Sequence, residues 1–242
     1  MTSLEHLVGR QFDLCELKRR LHSEYPRPPP VRVTSTGYGP CLLVSRECAS
    51  GGTRLARLIG ERIGWRVFDR EIVDEVAHSA NVRRQWIASV DERVRHGWSE
   101  FWRKLAEGEG VGRETYLHHL REVILLLGQQ GEVIILGRGA NYILPAERAV
   151  SVRLRAPLEV RVRRFAERER VSMERARRLV EQTDAERAAF IREAFGRDVD
   201  STEDYDLVLN MDELGVEAAA EAVLAKLQER LGVQPESVPC ER

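Results

Sequence analysis

The chain has 242 residues, 43% of them hydrophobic and 32% charged, which is enough to bury the core of one decorated domain and too apolar for a disordered tail. Its 38 basic residues nearly balance 39 acidic ones, for a formal net charge of −1, so no global field draws it to nucleic acid or to a membrane surface. Any cationic site must be local, and with lysine only at Lys18, Lys104 and Lys226, arginine must supply most fixed cations for a phosphate.

The first fifteen residues, MTSLEHLVGRQFDLC, are charged and lack an apolar stretch of signal-peptide length, and no later segment approaches the ~20 apolar residues of a membrane span; a cytoplasmic protein is expected. Leu4, Leu7, Val8, Leu14, Leu17 and Leu21 recur at helical spacing until Pro26 and Pro28 to Pro30 stop the helix, so residues 1–38 read as a helical extension and stiff linker. From Cys41 the texture becomes short apolar runs separated by long amphipathic segments, the pattern of a parallel sheet with crossover helices over residues 39–232. The five runs are Cys41–Ser45, Arg66–Phe68, Val133–Leu136, Val150–Leu154 and Leu207–Leu209.

Between them, Leu55, Leu58, Ile59 and Ile63 form an apolar stripe that Gly64 would close. Residues 81–113 read as a helical insertion, and Tyr116 to Leu127 as a further helix. Pro157 suits a first helical turn, and Ser172 is placed to cap a helix running to Phe195 and stopping at Gly196. These arginine-rich helices span residues 157–200. A last helix covers Val216 to Leu231, and residues 233–242 form a tail. Cys15, Cys41, Cys48 and Cys240 have no paired spacing that suggests zinc or a disulfide framework; Cys41 is expected in the core and Cys48 in an ordinary loop position.

The segment VSRECASGGTRLARLIGERIG, residues 44–64, follows an expected strand and opens an expected helix, the one context in which a glycine-rich loop is more than a turn. Ala49, Ser50, Gly51 and Gly52 are small enough for successive amides to face one concavity, with the partial charge of a helix N-terminus behind them. Against the phosphate-loop pattern G-x-x-x-x-G-K-[ST], Arg46 stands at the first glycine, Gly51 at the second, Gly52 at the lysine and Thr53 at the hydroxyl position. The missing ammonium must be replaced, and Arg46, Arg54 or an arginine of the later helices could serve. An empty strand-to-helix turn is the alternative.

Reading on, WRVFDREIVDEVA, VIILGRGANYILP and the run from RAPLEVRVRRFAERE to YDLVLN follow in the order of a nucleoside monophosphate kinase. Over residues 41–231 the chain resembles the cytidylate-kinase-like family. The resemblance implies a three-layer P-loop NTPase-type fold: a five-stranded parallel sheet flanked by helices, with a helical insertion and a helical lid. It implies ATP as phosphate donor with Mg²⁺ contacted by Thr53, and nucleotide substrates as partners. Asp69 and Arg70 match the start of the monophosphate-binding region, although Asp69 could equally cap the next helix. Gly137 and Arg138 match the pair whose arginine grips the acceptor, without the acidic residues that normally flank it. Arg161 and Arg164 match arginines after the fourth strand, and Asp184 with Arg187 matches the lid signature, all in roles that neutralise the transferring group. Arg163, Arg168, Arg170, Arg175, Arg177 and Arg178 alternate with glutamates and read as a solvated face.

Three functions compete: phosphoryl transfer to a CMP- or dCMP-like acceptor, a nucleotide-binding regulatory module that has lost transfer, and a kinase of another small acceptor. The interrupted arginine runs and neutral balance speak against nucleic acid.

Overall fold

A computed structural model of the chain describes residues 37–69 and 113–234. The expected N-terminal extension, most of the helical insertion, Arg70 and the end of the tail lie outside the described residues.

Five strands, β1 (Cys41–Arg46), β2 (Arg66–Phe68), β3 (Val133–Leu136), β4 (Ala149–Arg155) and β5 (Leu207–Asn210), form one sheet in the order β2-β3-β1-β4-β5. All four pairings are parallel; β1 lies centrally with Val44 opposite both Leu136 and Val152. Strands covered on both faces should be apolar throughout rather than alternating. β3 meets that rule, with all four residues at 0% exposure.

The helices are α1 (Gly52–Ile63), α2 (Arg113–Gln130), α3 (Leu158–Glu169), α4 (Met173–Phe195) and α5 (Gly215–Leu231). α1 buries Leu55, Ala56, Ile59 and Ile63, the stripe read from its spacing with Ala56 added and Leu58 only partly buried at its edge, and packs with α5 over the sheet. Left-handed Gly64 ends α1 and returns its amide to the Gly60 carbonyl. Ser172 caps α4 by accepting the Arg175 amide, and Gly196 stops it. α2 is longer than its sequence signal by three residues at each end, because the expected limits rested on apolar spacing that fades toward the termini.

α3 and α4 form a hairpin with an apolar core of its own. Val162, Ala166, Ala176 and Val180 are buried there, flanked by Leu158, Phe165 and Val171, and Cys48 from the loop after β1 inserts among them. Cys48 is 6% exposed, so it is a packing residue rather than the ordinary loop position expected. Burial pushes its thiol above the usual range, the nearby Arg187 guanidinium only partly opposing it.

Candidate functional site

Parallel strands deliver their C-terminal ends to one edge of the sheet, and the order reverses around β1, so the loops after β1, β3 and β4 meet there. Two cavities open on this edge.

The first, about 680 Å³, follows the loop from Arg46 through Arg54 and is bordered by Arg57, Arg168 and Arg187. Gly51 is the N-cap of α1 with φ 100, and no side chain caps the helix. A positive φ is cheap only for glycine, and an uncapped N-terminus leaves first-turn amides for an anion. The sequence-expected loop residues Arg46, Ser50, Gly51, Gly52, Thr53 and Arg54 all line this cavity. The Ser50 side chain is turned away from it: at 1% exposure its hydroxyl donates to the Glu47 carbonyl at 2.9 Å, so it shapes the loop. Thr53 and Arg54 are exposed. Arg168, expected on a solvated face, pairs with Glu169 at 2.8 Å and still borders the cavity.

The second cavity, about 180 Å³, is lined by Arg46, Arg138, Arg153 and Arg187 together with Asn141, Tyr205 and Glu186. Gly137, Arg138 and Gly139 all have left-handed backbones, at φ 80, 56 and 66. For Arg138 this is strained by roughly 1–2 kcal/mol. Its guanidinium lies 5.2 Å from the centre of the Phe190 ring. Phe195 closes over Gly139 so tightly that a Cβ there would come within 2.2 Å of the ring. Tyr142 stacks on Phe195 at 5.3 Å between ring centres.

Arg161 and Asp184 do not face either cavity. Arg161 is 7% exposed; it donates to Asp184 at 2.5 Å and to the Ala156 and Cys48 carbonyls, and it pairs with Glu47 at 3.2 Å. Asp184 accepts the Cys48 amide at 2.7 Å with its other oxygen, and Glu47 accepts the Ala156 amide at 2.9 Å. These groups therefore tie the loop after β1 to α3 and α4, and neither Arg161 nor Asp184 lines the two described cavities. Arg187, one turn of α4 further on, does reach the cavities and donates to the Arg46 carbonyl at 3.0 Å. Arg164 lines neither described cavity and pairs with Asp212 at 3.2 Å. Asp69 directly follows β2 and lines neither.

The sequence reading missed four residues. Glu47 carries a signal, an acid inside a loop built for anions. Arg153 on β4 carries another, a charge within an apolar run: 5% exposed, it donates to Ser45 and to Asp200, both at 3.0 Å, while its buried Nε has no hydrogen-bond partner. Tyr205, which donates to the Val199 carbonyl at 3.0 Å, and Asn141 carry none. Among the described residues no three His, Cys, Asp or Glu side chains converge as a metal site, and no helix is long and apolar enough to cross a membrane.

Residues 43–213 match the cytidylate kinase-like family. The chain is 34% identical over 134 residues to a cytidylate kinase of Ignicoccus hospitalis, covering 50% of this chain and 77% of that one. It is 28% identical over 178 residues to a cytidylate kinase of Methanothermobacter thermautotrophicus, covering 74% and 99%. A cytidylate kinase of Methanopyrus kandleri is 33% identical over 91 residues, and there the match spans only 47% of the relative and 34% of this chain. In fold, the chain is similar to the solved structure of an uncharacterised protein from Eubacterium ventriosum, with a TM-score of 0.61 at 17% identity, covering 79% of this chain and 99% of that one.

Proposed function

Because the chain belongs to the cytidylate kinase-like family, we propose that it transfers the terminal phosphoryl group of ATP to a nucleoside monophosphate of the cytidine type. The observation that carries this reading is the adjacency of two anion sites of different make. One is an uncapped helix N-terminus within a glycine loop, the other an arginine-lined cavity, and Arg46 and Arg187 border both.

In this reading the first-turn amides of α1 around Gly51, Gly52 and Thr53, with Arg54 beside them, hold the donor polyphosphate. Arg138 grips the acceptor phosphate through two parallel hydrogen bonds and orients it for in-line attack; Asp69 and Arg70 begin the surface that takes the rest of the acceptor. An oxygen of the acceptor dianion bonds to the γ-phosphorus, the bond from that phosphorus to the bridging oxygen breaks, and ADP leaves with the electron pair. No proton need be lost, so no general base is required, and none of the residues bordering the two cavities has to serve as one. Catalysis reduces to positioning and charge neutralisation. Arg187 neutralises the transferring group, while Arg161 and Asp184 keep the loop in shape for it.

The absence of an acidic cluster among the described residues suits a Mg²⁺ ion carried chiefly by substrate phosphates and water, with the Thr53 hydroxyl as the protein's oxygen ligand. When bound, the ion would supply charge neutralisation on the donor phosphates. In this reading the reaction runs in the cytoplasm.

Gly52 at the lysine position favours a second reading, a nucleotide-binding module without transfer. ADP formation from Mg·ATP across CMP, dCMP, UMP, AMP and small hydroxylated metabolites separates the readings. Turnover is expected with CMP or dCMP, and Arg138→Ala should raise the KM for that acceptor about 10²-fold. Nucleotide binding without turnover on any acceptor would establish the module instead, and turnover confined to a metabolite would reassign the acceptor.

A further inference from the structure

The phosphate loop lacks its lysine, yet a cation is needed where the two cavities meet. We propose that Arg46 is that cation: its guanidinium takes the place of the missing ammonium at the terminal phosphate of the donor, and Gly52 and Gly137 are glycines because Arg46 occupies their space. The inference rests on the phosphoryl-transfer reading and deepens it by naming the bridging residue.

Three observations carry it. A Cβ on Gly52 would lie 2.9 Å from Arg46 Cγ, 3.0 Å from Arg46 Cβ and 3.3 Å from Leu154 Cδ1. The clash is with the base of the arginine stem, which cannot swing aside as a chain end can, so a lysine at 52 and an arginine at 46 exclude one another. A Cβ on Gly137 would lie 2.5 Å from Arg46 Nη1. The Nη1 end of the charged head therefore points at the glycine that begins the loop after β3, while the base of its stem lies against Gly52 of the loop after β1. Finally, Arg46 borders both cavities, and its carbonyl is held by Arg187, the other residue that borders both.

The remaining basic residues near the donor loop are less well placed. Arg54, Arg57 and Arg168 border the first cavity but not the second, and Arg161 borders neither. A guanidinium presents donors on two edges where an ammonium is a point charge. One head can thus bind an oxygen of the donor's terminal phosphate on one edge and an oxygen of the acceptor on the other, drawing the reacting atoms together.

The test uses the full chain, Mg·ATP and CMP. Arg46→Gln, which keeps the stem and removes the charge, should lower kcat by about 10²–10³-fold with little change in either KM. The paired exchange Arg46→Gly with Gly52→Lys should regain at least about tenfold over Arg46→Gly alone, whereas Gly52→Lys by itself should be inactive; a merely structural arginine would not be rescued this way. A kcat for Arg46→Gln within about threefold of wild type would overturn the proposal.

Binding separates this failure from failure of the kinase reading. If the wild type turns over no monophosphate, the kinase reading falls, and Arg46 is judged by calorimetry with Mg·ATP and Mg·ADP. The wild type should prefer ATP, and Arg46→Gln should narrow that preference at least about fivefold. An unchanged preference, or no binding of either nucleotide to the wild type, overturns the assignment. Should Arg46→Gln fail to fold, Arg46→Lys replaces it, with the preference for ATP narrowed and kcat reduced; an unaltered kcat or, where there is no turnover, an unaltered preference counts against the proposal.

Discussion

The loop after β1, proposed above to hold the donor, and the loop after β3, proposed to hold the acceptor, are gripped by the same helix in different ways. Toward the middle of α4, Asp184 and Arg187 hold the donor loop through charge: Asp184 takes the Cys48 amide and Arg161, and Arg187 takes the Arg46 carbonyl. At its end, Phe190 and Phe195 hold the acceptor loop through shape, beside Arg138 and over Gly139. A charged clamp fails when one atom is removed, because its partner stays desolvated; an aromatic clamp loosens in proportion to the surface lost. The two halves of the helix should therefore respond to mutation in separable ways.

The largest effect is expected at Asp184. Replacing it by alanine leaves Arg161, with 8% of its side chain exposed, with Glu47 as its remaining carboxylate partner beside the Ala156 and Cys48 carbonyls. We expect a loss of about 3 kcal/mol, toward the lower end for a broken buried pair because Glu47 remains. It is read as a lower denaturant midpoint at unchanged m-value, with weaker ATP binding. Asp184→Asn, which can still accept the Cys48 amide, should fall between the two. If Asp184→Ala costs less than removal of Phe195, the contrast between the two clamps is wrong.

Phe195→Ala comes next. The ring is half-buried, so about 2 kcal/mol is expected, below the value for a fully buried phenylalanine. The sharper readout is functional: acceptor KM should rise severalfold, because the Gly137–Gly139 loop loses its cover, while ATP affinity stays within about twofold. Equal weakening of both ligands would mean that α4 transmits strain as one body, and the comparison would collapse into a single site.

The same contrast explains what could be read from the sequence. Strand runs, the α1 stripe, the Gly64 and Gly196 stops and the Ser172 cap depend on neighbours within a few residues, and they were legible. So was the glycine loop between β1 and α1, since a strand, small residues and a helix start are contiguous. The direction in which a charge points was not. The resemblance sets Arg161 among the arginines after the fourth strand and Asp184 in the lid signature, but their partners, Glu47 and the backbone of Cys48, lie more than 100 residues away. Burying an arginine requires such partners, and no local pattern names them. Arg153 was hidden for the same reason: within an apolar strand its charge is tolerated only because Ser45 and Asp200 come to it from elsewhere.

Asp200 extends the comparison to the partner of Arg153, which lines the second cavity, and here the smallest effect is expected. Burial alone would raise its carboxyl, but hydrogen bonds and charge from Arg153 and Arg155 outweigh this and hold it below the ordinary carboxylate range. A folded-state value below the unfolded one contributes stability that is present above the unfolded value and is lost as pH falls through the folded one. Asp200→Asn should therefore cost little at neutral pH, within about 1 kcal/mol because the side chain is 57% exposed and screened. The deficit should vanish below the ordinary carboxylate range, where the wild-type group is also protonated. Measured as the difference in unfolding free energy between the two proteins from acid to neutral pH, the gap should open only as pH rises. A gap of constant size would mean that Arg153 is held by packing rather than by this carboxylate, and that the acceptor cavity, like its loop, is built on shape.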